Sequence, residues 1–383
     1  MGTVVLGEKL TIEKFMEIAV FHGEVEFSQE YRERVEKSRG IIEACVEKEK
    51  AVYGTTTGFG ALVSQFITKD EAELLQKNII LTHSVSVGEP LAEEEVRAVM
   101  LMVLQSLGRG VSGVRMEVLE RYRDFLNKNL IPHVPGEGSV GYLCVEAHIA
   151  AVLIGEGKAW YQGELLSAEE ALKKAGMEPL TLSYKEGLAL INGTTSPTAL
   201  AALAVYRLTQ AAETADVVAA MSLEGLKGQL RAFDSHVTAC RPQTELEETA
   251  EKLKSYLMDS EVVKKWEGSH LQDPLSLRCI PQLHGAAKRI LKDAWEVVSC
   301  EINSCGDNPV VYGSEDEPDI YSNGNPDASY VGMEMDAACI AAANLAKMSE
   351  RRNARFLDEN LSGLPSFLVK NPGLNSGLMI PQY

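Results

Sequence analysis

The segment GEGSVGYLCVEAHIA, Gly136 to Ala150, spaces its glycines as G-x-G-x-x-G and follows them with Cys144, Glu146 and His148. Two chemistries use such residues: a backbone cradle for phosphate and a ligand set for a metal ion. A dinucleotide cradle needs a strand running into the glycines, so that pyrophosphate meets the N-terminus of the helix that follows. The preceding NKNLIPHVP carries Pro132 and Pro135, which break a strand, and charged helical sequence lies before it. The metal trio fails on periodicity, because i and i+2 point to different faces of a helix. What remains is a tight glycine turn leading into a buried helix.

Five further segments carry polar side chains in glycine-rich or turn-like settings. Tyr53 opens YGTTTGFG, His83 sits in LTHSVSVGEP, and Asn192 stands in EGLALINGTTSP. Gln272 and Arg278 lie six apart in QDPLSLRCIPQ, and Asn303, Asp307 and Asn308 fall within INSCGDNPVV. Each has an ordinary structural explanation: packing for the tyrosine, a satisfied histidine, a turn for Asn-Gly. Their number and order carry more weight than any one of them.

The elements that must position these residues are mostly helical. Apolar periodicity predicts helices near 11–20, 28–50, 70–81 and 93–128, separated by polar loops. Ser196-Pro197 supplies a helix cap and a first-turn proline for a long alanine-rich helix. Stripes of Ile290, Leu291, Ala294, Val297, Val298 and Ile302, and of Met335, Ala338, Ala342, Leu345 and Met348, predict two more. Small residues at the seams suit a bundle of long, closely packed helices. Residues 309–330 read as a hairpin or long loop, with Val310 and Val311 the one strand-like pair. The expected division is an N-terminal domain, 1–195, and a long-helix bundle, 196–383, cut short at its apolar end LMIPQY.

Across 383 residues the net charge is −18, spread along the chain, which argues against nucleic acid and anionic membrane as partners. The start lacks the pattern of a secretory signal, and no run of about 18 uninterrupted apolar residues exists. Seven cysteines without a C-x-x-C pair point to reduced thiols in a cytoplasmic protein.

Taken together, YGTTTGFG, EGLALINGT, QDPLSLRCIPQ, EINSCGDNP, LAKMSERR and GLNSGLMIPQ resemble, in order, the blocks of the aromatic amino acid lyase family. The resemblance covers nearly the whole chain and implies a mainly α, histidase/fumarase-like fold whose long central helices assemble as a homotetramer. It also exposes a departure. Where the family has Gly-Ser-Val-Gly-Ala-Ser-Gly-Asp, its Ala-Ser-Gly cyclises to the electrophilic methylidene-imidazolone that activates the amine. This chain has Tyr142, Leu143 and Cys144 and is three residues shorter there, so no cofactor is expected. Leu275 also replaces a usual tyrosine, and family sequences continue well past GLMIPQ.

Without that electrophile, an ordinary ammonium is a poor leaving group, because a base able to reach the β-proton takes the N–H first. A quaternary trimethylammonium has no N–H to lose. The resemblance therefore implies the branch that eliminates trimethylamine from ergothioneine, a betaine of a histidine-like amino acid, to give thiourocanate. Tyr53 is then the base at the β-carbon, and Arg278 grips the carboxylate with Asn192 and Asn308. His83 and Gln272 lie near the ring, Tyr142 faces the trimethylammonium for about 0.5–2 kcal/mol, and Glu146 adds counter-charge. Two alternatives stand beside this: a lyase on histidine or another activated aromatic amino acid, and an inactive relative with a binding role.

Overall fold

The computed structural model describes residues 2–48, 52, 57, 71–141 and 143–382. Its helices in chain order begin with α1 (Ile12–Ala19), α2 (Gln29–Glu47), α3 (Ala72–His83), α4 (Glu93–Leu107), α5 (Met116–Lys128), α6 (Cys144–Leu153), α7 (Ala168–Lys174) and α8 (Glu186–Ile191). They continue with α9 (Thr195–Gly225), α10 (Ser235–Ala239), α11 (Thr244–Leu257), α12 (Glu261–Trp266), α13 (Leu275–Arg278), α14 (Ile280–Glu301), α15 (Ser329–Leu357) and α16 (Glu359–Ser362). The fold is the mainly helical one expected from the periodicity.

Two compact units share the chain: residues 1–204 with 297–332, and 205–296 with 333–383. Both are discontinuous, because the chain passes between them inside α9, α14 and α15. The loop before Pro197 is therefore not where the units divide.

In the first unit, α4 is buried along its length, every residue from Val96 to Leu107 being withdrawn from water. Its one cation, Arg97, is kept there by carbonyls. The guanidinium donates to Ile18 O and Ala19 O at the end of α1, and to Leu126 O and Asn129 Oδ1 at the end of α5. One side chain thus satisfies the orphan carbonyls of two helix C-termini. The periodic signal over 93–128 is two helices here, not one. LGRGVSGVR separates them, with Gly110 and Gly113 both at φ +72°, a left-handed backbone that a side chain disfavours.

Strands are more numerous than the sequence suggested, though short. β1 (Thr3–Leu6) pairs in parallel with β2 (Glu24–Phe27). β3 (Val87–Pro90), β4 (Ile131–Pro132) and β5 (Pro135–Glu137) follow, then β6 (Lys158–Tyr161) and β7 (Glu164–Ser167). β3 pairs antiparallel with β5, and β6 lies between β4 and β7. Pro132 and Pro135 therefore do not exclude strand structure; they sit in short strands, Pro132 at the edge of its three-stranded sheet and Pro135 in a two-stranded ribbon, where a missing donor is tolerated. β8 (Val310–Gly313) and β9 (Pro318–Tyr321) form the expected hairpin.

The second unit is built on small-residue seams. Ala212, Ala287, Leu291, Ala338, Ala341 and Leu345 form one buried cluster; Leu223, Phe233, Leu253, Leu277, Ile280 and Met348 belong to another. Residues Glu186–Gly225 are long and apolar enough to cross a membrane, yet 83% of the most apolar window is buried in protein.

Candidate active site

The glycine turn leads straight into α6. β5 ends at Glu137, Gly138 (φ +99°) and Gly141 (φ +94°) turn the chain, and Cys144 is already the first helical residue. Strand, glycines and helix do occur in succession, but β5 belongs to a two-stranded antiparallel ribbon rather than a parallel βαβ unit. Glu146 in the first turn of α6 also opposes a phosphate.

Glu146 is fully withdrawn from solvent. Its Oε1 accepts from Thr195 Oγ1 at 2.6 Å and from Ser196 N at 2.8 Å. The N-terminus of α9 is thus capped by a carboxylate from another helix, and α9 begins at Thr195, so Ser196 lies inside it rather than capping it. Oε2 has no hydrogen-bond partner among the described residues. Burial drives the carboxyl's pKa upward, against the pull of the Thr195 and Ser196 bonds. The Tyr122 hydroxyl of α5 is likewise buried and unpartnered among those residues, with its pKa raised by burial first and by Glu146 second.

Asn192 links α8 to α9 and its amide nitrogen is spent. Nδ2 donates to Asp307 Oδ1 at 3.2 Å and to Asn308 O at 2.9 Å, so toward a ligand the side chain offers its oxygen, an acceptor. Asp307 Oδ2 accepts from Lys185 Nζ at 2.6 Å, a fully buried ion pair. Asn308 Oδ1 accepts from Asn323 N at 2.9 Å. Asn192 and Asn308 are therefore brought together, directly at the Asn308 carbonyl and again through Asp307.

His83 ends α3. Its Nδ1 lies 2.8 Å from Ile79 O, and a carbonyl only accepts, so the proton is on Nδ1 and Nε2 is left as an acceptor. Cys144, Glu146 and His148 go separate ways. The thiol, 4.0 Å from Gly138 O, has its pKa raised by burial and then by Glu146, which makes it a poor nucleophile. His148 Nε2 accepts from Ser86 N at 3.2 Å.

In the second unit, Gln272 and Arg278 meet: Arg278 Nη1 donates to Gln272 Oε1 at 2.8 Å. Arg278 Nε is buried without a partner among the described residues. Both line a cavity of about 700 Å³ with Leu275, Trp266, Lys227 and Arg355. The acid on its wall, Asp273, is already engaged by His270 Nε2 at 2.9 Å and Gln229 N at 2.7 Å. The cavity is left with uncommitted positive charge and suits a carboxylate. Tyr53 and Tyr142, expected as base and as the aromatic face for an ammonium, lie outside the described residues.

Sequence reasoning missed Lys185, Lys227 and Arg355. Lys185 had a signal: a charged Lys185-Glu186 pair abutting the apolar run Leu188–Ile191, where a cation must find a buried partner.

Residues 10–383 match the model of the family "Aromatic amino acid lyase". The histidine ammonia-lyase of Caldanaerobacter subterraneus subsp. tengcongensis is 42% identical over 383 residues, covering 99% of this chain and 75% of the relative. Among solved structures, the phenylalanine aminomutase of Pantoea agglomerans superposes with a TM-score of 0.94 at 33% identity, over 100% of this chain and 78% of its own. Ergothionase from Treponema denticola, in complex with desmethyl-ergothioneine sulfonic acid, gives a TM-score of 0.89 at 26% identity, over 99% and 77%. The chain belongs to the aromatic amino acid lyase family and is an enzyme of that kind.

The residues at 138–144 do not fit the family's cyclised prosthetic group. Leu143 and Cys144 stand where the serine and glycine of the cyclising Ala-Ser-Gly would be, so there is neither a serine hydroxyl to eliminate nor a glycine nitrogen to close the ring. Leu143 O accepts from Ala147 N and Cys144 opens α6, so the peptide from Cys144 onward is committed to a helix.

Proposed function

We propose that the chain is a carbon–nitrogen lyase that eliminates an amine from a histidine-type amino acid. The Arg278 fork carries this reading: held at one arm by Gln272, with a buried free Nε, it presents a carboxylate receptor on a cavity wall. The histidine-type ring is supported by similarity to eight histidine ammonia-lyases, 40–42% identical to this chain. Tyr53 is the base that takes the β-proton, and His83 Nε2 is an acceptor for a ring N–H. Gln272 orients Arg278 rather than the ring.

The leaving group separates two forms of this reading. Histidine itself, releasing ammonia, follows the relatives. The misfit at residues 138–144 favours instead a quaternary amine, whose departure as trimethylamine needs no electrophile. Glu146, in the first turn of the helix after that turn, keeps Oε2 without a partner among the described residues and offers it to a cationic ligand; ergothioneine is the substrate of this form. A homotetramer in a reducing, cytoplasmic setting belongs to the same proposal, and light scattering and cell fractionation check it.

Incubation with L-histidine, its Nα-trimethyl betaine and ergothioneine, followed by conjugated-acrylate absorption and amine analysis, tests both forms. Ammonia from histidine removes the quaternary form. Turnover of a betaine alone establishes it, and no turnover of any of the three ends the lyase reading.

A further inference from the structure

A second cavity, of about 640 Å³, opens in the first unit and shares no lining residue with the one around Arg278. Arg109 and Glu301 both line it, with Tyr312, Tyr330, Thr194 and Gly306. The Arg109 guanidinium is exposed and the Glu301 carboxylate half-buried, and among the described residues neither side chain has a hydrogen bond or ion pair. Opposite charges facing one cavity without reaching each other can both be satisfied by a ligand that carries both signs. Two tyrosine rings supply apolar faces beside them, and Tyr312 is braced edge-on against Tyr321 at 6.2 Å. The volume suits a small molecule. Burial already pushes the Glu301 carboxyl's pKa up, so an arriving ammonium relieves an isolated charge.

We propose that this cavity is a binding site for an α-amino acid zwitterion, with Arg109 on its carboxylate, Glu301 on its ammonium and the tyrosines against its side chain. Its floor joins it to the buried cluster. A side chain on Gly306 would come within 2.8 Å of Thr194 N, so the two backbones touch there. Thr194 stands two residues after Asn192, and Gly306 immediately precedes Asp307. An occupant therefore presses on the two segments that the Asn192–Asp307 bond ties together, which makes it an effector of that loop junction. The assignment rests on the charges and volume of this cavity and not on the lyase reading.

The test is calorimetric titration of Arg278→Met protein, in which the other cavity has lost its carboxylate grip. L-histidine is the probe; histamine, without the carboxylate, and imidazolepropionate, without the ammonium, are the controls. The expected result is one histidine site per chain, with both controls weaker by about tenfold or more. Glu301→Gln and Arg109→Met, each added to this protein and each keeping its thermal midpoint, weaken histidine to the same degree. No histidine site in the Arg278→Met protein, or affinity untouched by both added substitutions, overturns the assignment. Failure to turn over any amino acid, with Glu301-dependent binding intact, removes the lyase reading and leaves this one standing.

Discussion

Lys185 and Asp307, 122 residues apart in sequence, meet at 2.6 Å with both side chains withdrawn from water. Asp307 also accepts from Asn192 Nδ2 and from Asn308 N, so the pair anchors three segments of the polar cluster. Removing one member strands a buried charge, whereas removing both does not. Lys185→Met should cost about 3–5 kcal/mol in denaturant unfolding, and the double variant Lys185→Met/Asp307→Asn should cost less than the single one. A double variant as damaged as the sum of its parts would show that the pair does not act as a unit.

That ion pair also marks where sequence reading stops. Helices with a clean apolar stripe were legible because periodicity alone orients them, as with Leu291, Ala294 and Val298 of α14. The break between α4 and α5 was passed over because periodicity resumes in register beyond the three glycines of LGRGVSGVR. Asn192 and Arg278 were legible as polar residues in marked loops, but not what they bond to. That Asn192 spends its N–H groups on Asp307 and Asn308 follows from contacts over more than a hundred residues, which no local pattern encodes.

Glu146 makes stability depend on pH in a direction opposite to that of a salt-bridged carboxylate. Its folded pKa lies above the ordinary 4.5 because burial disfavours the charge. Below 4.5 folded and unfolded chains both hold the proton and the cost of a buried anion is absent; it grows as pH rises toward the folded pKa. Glu146→Gln keeps an acceptor for Ser196 N and Thr195 Oγ1 and carries no charge. The stability of the Gln variant relative to wild type should therefore climb through that window and then level off. Unfolding curves at closely spaced pH values measure this, and a constant offset would mean the group does not change protonation on folding.

Gly187 and Gly332 offer opposite outcomes from one substitution. A Cβ on Gly187 of α8 would stand 2.6 Å from Gln76 O and 2.9 Å from Gln76 Cα, both backbone atoms of α3 that cannot turn aside. Gly187→Ala should destabilise by about 1–3 kcal/mol, outweighing the roughly 1 kcal/mol that alanine gains in helix propensity. Gly332 of α15 has nothing within 4 Å of its Cβ position. There only the propensity acts, and Gly332→Ala should stabilise by about 0.5–1 kcal/mol. Equal responses at the two sites would refute close approach of α8 to α3.

In the proposed function Arg278 grips the carboxylate, and a charge-conserving change isolates its geometry. Lysine keeps the positive charge but loses the planar fork and the Nη1 bond to Gln272 Oε1. Losing a hydrogen bond to a charged group costs about 1.5–3 kcal/mol, roughly 10–100-fold. Arg278→Lys should lower kcat/KM by that factor, mostly through KM, because the carboxylate takes no part in bond breaking and is bound alike before and during the reaction. Gln272→Ala frees an arm of the fork without removing it and should cost less. The discriminating substrate is a carboxamide analogue, which offers no anion to grip: wild type should handle it poorly, and Arg278→Lys should make it little worse. If acid and amide lose equally on substitution, Arg278 supports the cavity wall through Gln272 and does not receive the carboxylate.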